Sequence, residues 1–151
     1  MYLAFSTKAG TLALLYEKLQ SARIASLVWF TIADWQGDRE ACIGKVQPNI
    51  GVGPWIVRSS CKREDGTVAS NAGAFLSLVD VTAIGLENAI EQVIAAYGET
   101  CSDDEVLIQP MLRNVQHSGV AFSHDPNTCA PYRVVNWTKG SDTTAITGGR
   151  G

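Results

Sequence analysis

Trp55-Ile56-Val57-Arg58-Ser59-Ser60 is an apolar run of strand length that ends in an arginine and two hydroxyls. The acidic pair Glu64-Asp65 follows, and then the small-residue turn Ser70-Asn71-Ala72-Gly73. A buried strand that stops on a guanidinium delivers a fixed cation, with hydroxyl donors beside it, to the mouth of a site for a polyanion. The planar fork grips two phosphate oxygens at once and keeps its charge near neutrality. Arg58 would serve equally well as one half of a surface ion pair with Glu64 or Asp65, and this segment alone leaves both readings open.

Around this strand the chain alternates between helical and extended patterns. Leu12, Leu15 and Leu19 recur at helical spacing, so a helix is expected from Lys8 to Ala22 with Thr7 as its N-cap. Residues 27–31 have strand composition, and Asp34 is expected to cap a second helix running to Val46. A turn-rich connector from Pro48 to Pro54 leads into the 55–59 strand. Alternation marks another strand from Phe75 to Val81. The strongest helix is Leu86 to Tyr97, with Ile90, Val93, Ile94 and Tyr97 on one stripe and Gly98 at its stop. Strands are expected at 105–109, 119–123 and 132–137, the last two separated by the turn Asp125-Pro126-Asn127, with a further one at 143–147. Asp103-Asp104-Glu105 reads as a solvated acidic turn. Helices interspersed with antiparallel hairpins predict an α+β fold.

The length of 151 residues suits one domain, 1–151, with room for a real core. A formal charge of −3 and no basic stripe argue against nucleic acid as a partner. Lack of an apolar run of about 20 residues argues against a membrane span, and no leader peptide is legible, so the expected location is the cytoplasm. Cys42, Cys61, Cys101 and Cys129 are widely separated and only His117 and His124 accompany them, which predicts reduced thiols and no zinc site.

Four further segments bear on chemistry. Gly73 allows close backbone approach to a phosphate, and Ser77 could add a hydroxyl to it or to a metal-bound water. Lys8 falls in the first turn of a helix, where the dipole disfavours a cation unless an anion compensates. The apolar run Val106-Leu107-Ile108 leads into Gln109-Pro110-Met111, and adenine recognition needs such an apolar slot with a few convergent hydrogen bonds; an ordinary core strand with Met filling a gap reads the same way. Ser118-Gly119-Val120-Ala121-Phe122-Ser123-His124-Asp125-Pro126 reads as a strand and turn.

Taken in order, Ser6-Thr7-Lys8-Ala9, Val57-Arg58-Ser59-Ser60, Ala72-Gly73 with Ser77, Gln109-Pro110-Met111 and Ser118 to Pro126 resemble blocks of the pyruvate phosphate dikinase and phosphoenolpyruvate synthase family, in its N-terminal ATP-grasp part. Here Ser6-Thr7 stands where the family has a glycine pair, Ala74 where many members carry Gln, and Ser77 where they carry Thr. The resemblance implies an ATP-grasp-like α+β domain with mixed and antiparallel sheets, flanking helices and an incomplete C-terminal part. It implies ATP held by Lys8, Arg58, Gly73, Ser77, Gln109 and Met111, and phosphoryl transfer to a catalytic histidine on another domain or a separate chain. His124 occupies a variable position of the pattern and is not that histidine, and no catalytic residue is assigned. In the family, Mg2+ ligands come from later acidic and Gln/Arg-bearing strands, so this chain alone is expected to bind ATP without completing the transfer. The competing expectation is a non-catalytic module that kept the fold and lost the chemistry.

Overall fold

The computed structural model describes residues 6–61 and 76–141, which form two compact units, one through Met111 and one from Leu112 onward. The first unit holds a four-stranded antiparallel sheet: β1 (Val28–Thr31), β2 (Trp55–Ser60), β3 (Ser77–Val81) and β4 (Glu105–Pro110), in spatial order β1-β4-β2-β3. Its helices are α1 (Lys8–Tyr16), α2 (Ile32–Gly37), α3 (Arg39–Gly44), α4 (Val46–Ile50) and α5 (Leu86–Ala96). The broad class is α+β, as the order of patterns predicts.

Side-chain alternation gives the sheet two distinct faces. Val28, Phe30, Trp55, Val57, Val106 and Ile108 point into the main core, where Leu86, Ala89, Ile90 and Val93 of α5 meet them. Trp29, Leu107, Arg58 and Ser77 are register partners in one row across the other face. α1 packs on β4, and Leu107 is fully buried although it points away from the main core. Central β4 is therefore covered on both sides, which explains its unbroken Val-Leu-Ile run.

β3 carries a register shift against β2: Trp55 pairs with Val81, yet Val57 pairs with Leu78. The extra residue is accommodated where Asp80 adopts φ +53°. Leu78 and Val81 consequently both reach the core, while Ser77 stays on the opposite face with Arg58.

Several boundaries differ from the sequence reading. The first helix stops at Tyr16 rather than Ala22, because Leu19 is 40% exposed and gains no burial by continuing it. Lys18 and Leu19 N–H groups instead close on Leu15 O. The single helix expected from Asp34 to Val46 is three short ones; the first break falls where Asp38 leaves helical geometry and caps α3 by accepting from Ala41 N, and the second at Lys45, which keeps helical geometry without a side-chain cap. Thr31, not Asp34, is the N-cap of α2; Asp34 is its capping-box partner, accepting from Thr31 N at 2.9 Å. Pro48 lies within α4 instead of opening the connector, in the first turn, where no backbone N–H is required. Asp104 and Glu105 are buried rather than solvated: Asp104 Oδ2 accepts from Cys101 N, its carbonyl accepts from Ile32 N, and Glu105 opens β4. The 143–147 strand lies outside the described residues.

Trp35 clips the short helices to α5. Its ring stacks on Phe30 at 5.7 Å, its Nε1 donates to Glu91 Oε1, and Arg39 lies 5.4 Å over it while pairing with Glu91 at 2.9 Å.

In the second unit β5 (His117–Phe122) pairs antiparallel with β6 (Val134–Lys139). Gly119 is required there, since a Cβ would lie 2.3 Å from Asn136 O. In the expected turn, Asp125 Oδ1 accepts from Asn127 N, Thr128 N and Thr128 Oγ1, and these bonds, that of Thr128 N above all, hold its carboxyl below the usual range.

The capping box generates a pH dependence. Hydrogen bonds from Thr31, the backbone one foremost, lower the Asp34 pKa below its ordinary 3.8, so its stabilisation is complete above that value and is lost as pH falls through the depressed one. Asp34→Asn is expected to destabilise by about 0.5 kcal/mol at neutral pH, a small figure because the pair is exposed. Urea titrations should show the two proteins converging in acid.

Candidate functional site

Ser60 fixes where α1 meets the sheet. It is fully buried; its Oγ accepts from Ala9 N at 2.8 Å and donates to Glu105 Oε2 at 3.0 Å. Its own N–H donates to the Tyr97 hydroxyl at 2.7 Å, and that hydroxyl donates to Glu105 O. The hydroxyl thus replaces a missing rung at the end of the β2–β4 ladder, so α1, α5 and two strands meet at one pair, Ser60 and Glu105. The sequence reading expected Ser59 and Ser60 as hydroxyl donors to a ligand; both are buried, and the Ser60 hydroxyl is engaged internally. Neither Tyr97 nor Glu105 was singled out for this role. A clue was present in the acidic residue opening an apolar strand, a position that demands a buried partner.

Thr7 caps α1 as expected, its Oγ1 accepting from Gly10 N at 3.1 Å. Lys8 is the first helical residue and is half-buried, and the first turn of α1 holds no acidic residue. Arg58 lies two residues before Ser60, about 7 Å along the strand on the same face. Its Nε is buried and has no hydrogen-bond partner among the described residues. Ser77 is directly opposite Arg58 across the β2–β3 ladder and is exposed. The structure therefore brings Arg58 and Ser77 together, with the N-terminal turn of α1 on their face of the sheet.

Gln109 pairs with Ile56 two residues in the other direction along β2, again on the Arg58 face. It is buried, and its Nε2 donates to Ala25 O at 3.3 Å, so it also holds the chain that leads into β1. Met111 follows β4, its N–H donating to Pro54 O at 3.0 Å, and it is the last residue of the first unit. Gly73 lies outside the described residues.

For an ATP phosphate chain, the donors present fit in kind: a guanidinium nitrogen without a partner among the described residues, a facing hydroxyl and the electropositive end of a helix. For a metal, no cluster of three or more His, Cys, Asp or Glu side chains exists among the described residues. The four cysteines are free, Cys42 and Cys61 buried, and burial pushes the Cys42 thiol up. No described helix is long and apolar enough to cross a membrane.

Comparison of the chain with protein-family models, with curated proteins and with solved structures gives no match.

A buried nitrogen without a partner costs stability in the unliganded protein. Arg58→Met keeps the aliphatic stem and removes that group, so it is expected to leave the ligand-free protein as stable as wild type or about 1 kcal/mol more stable by urea unfolding. Tyr97→Phe should act oppositely: it strands Ser60 N and Glu105 O and lowers the unfolding free energy by about 1–3 kcal/mol.

Proposed function

We propose that the chain is the ATP-binding portion of a phosphotransferase resembling phosphoenolpyruvate synthase and pyruvate phosphate dikinase, in an ATP-grasp-like fold. The observation that carries this reading is the Arg58–Ser77 pair: a buried guanidinium nitrogen lacking a partner among the described residues, a hydroxyl directly across the ladder, and the N-terminal turn of α1 with Lys8 on the same face. Lys8 and Arg58 hold phosphate oxygens, and Ser77 donates to one of them. Gly73 belongs to the same proposal through the sequence pattern.

The adenine end lies toward Gln109 and Met111. The Ile56–Gln109 pair lies two residues, about 7 Å, from the Arg58–Leu107 pair along the same face. ATP, bound as its Mg2+ complex, supplies the transferable phosphoryl group; this chain's residues bind and orient it, and the accepting histidine belongs to another domain or chain. No described residue is assigned to the chemical step.

Thermal and urea denaturation with Mg-ATP test the proposal. At about 100 times its dissociation constant the nucleotide is expected to add about 2.7 kcal/mol. Arg58→Met and Lys8→Met should each abolish most of that gain while remaining folded. An unchanged unfolding midpoint at millimolar nucleotide would favour the non-catalytic module.

A further inference from the structure

A concavity lies on the other flank of β4, toward the sheet edge and away from Arg58. It encloses about 300 Å³ and is lined by Ala13, Tyr16 and Glu17 of α1 and its C-cap, Leu27 and Trp29 at β1, and Asn49 of α4. Trp29 is the outermost member of the Trp29–Leu107–Arg58–Ser77 row, and β4, on which α1 packs, separates it from Arg58.

Its lining combines exposed aromatic surface with one carboxylate. Trp29 is 41% exposed and Tyr16 50% exposed, a large outlay of aromatic surface for side chains lining one cleft. Aromatic faces attract ammonium and guanidinium groups through the ring quadrupole, with tryptophan the strongest. Glu17 is exposed and makes no ion pair among the described residues, where both ion pairs belong to Arg39. It is the C-cap of α1, whose last turn carries no basic residue, so the negative end of the helix adds to an uncompensated carboxylate. Asn49 supplies an amide whose Nδ2 already donates to Lys45 O.

We propose that this cleft binds an organic cation, an alkylammonium or guanidinium group, between Trp29 and Tyr16 with Glu17 as counter-ion. The site is independent of nucleotide binding at the Arg58 row.

The test is a ¹H–¹⁵N NMR titration of the full chain at constant ionic strength, following the Trp29 indole N–H, which Trp29→Phe assigns. The probes are choline, arginine amide and 3,3-dimethylbutan-1-ol, a neutral compound with the shape of choline. A saturable shift is expected for at least one cation with a dissociation constant of about 1 mM, without saturation by the neutral compound. Glu17→Gln, a surface change that should leave the rest of the spectrum in place, is expected to weaken that binding about fivefold or more. Arginine amide alone binding would identify a guanidinium source such as a peptide side chain, and choline alone a free quaternary amine. No saturation by either cation at about 20 mM, equal response to the neutral compound, or unchanged affinity in Glu17→Gln would each overturn the proposal.

Discussion

The hydrogen-bonded cluster of Ser60, Glu105, Tyr97 and Ala9 N is the constraint on which the first unit depends. A sheet with helices on both faces of its central strand must fix them against one set of strands, and apolar packing alone is too undirected to do so. Here one serine and one tyrosine hydroxyl do it with geometry. The Ser60 hydroxyl registers the start of α1 on one face, and the Tyr97 hydroxyl registers the end of α5 on the other. Because the cluster is buried, each member is costly to leave alone, and the network holds as a unit.

Arg58 stands next to this cluster and follows the opposite logic. Its strand is held by ladder bonds on both sides, so its backbone position is fixed without any help from its side chain. The guanidinium can therefore be presented in an incompletely satisfied state without unfolding the strand. Such local dissatisfaction is what a pre-organised anion receptor needs, since the ligand then finds donors that have little to give up.

Much of this was legible in the chain. The α5 stripe of Ile90, Val93, Ile94 and Tyr97 follows from helical period, and Gly98 at φ +68° ends the helix as its position suggests. The strands around Arg58 and Leu107 follow from apolar runs, and the Thr7 cap from its residue type. What period does not reveal is competition between close alternatives. Asp38 could have stayed helical but caps instead, so α2 and α3 are separate pieces of one amphipathic segment. Asp104 and Glu105 look solvated beside Asp103, and pairing with Cys101 N and Ser60, far along the chain in the latter case, helps make their burial tolerable. At the site, the shared face of Arg58 and Ser77 was invisible because it depends on a bulge, which simple alternation cannot foresee.

That bulge at Asp80 has a consequence for how the chain tolerates length changes. It acts as a phase shifter: everything before it in β3 is offset by one residue from everything after it. Losing a single codon there would not merely shorten the strand. It would restore strict alternation, which by itself keeps Leu78 and Val81, then two residues apart, on the core face. The edge of the sheet can therefore lose that one residue and keep both core contacts, whereas losing two would leave Leu78 and Val81 adjacent and on opposite faces.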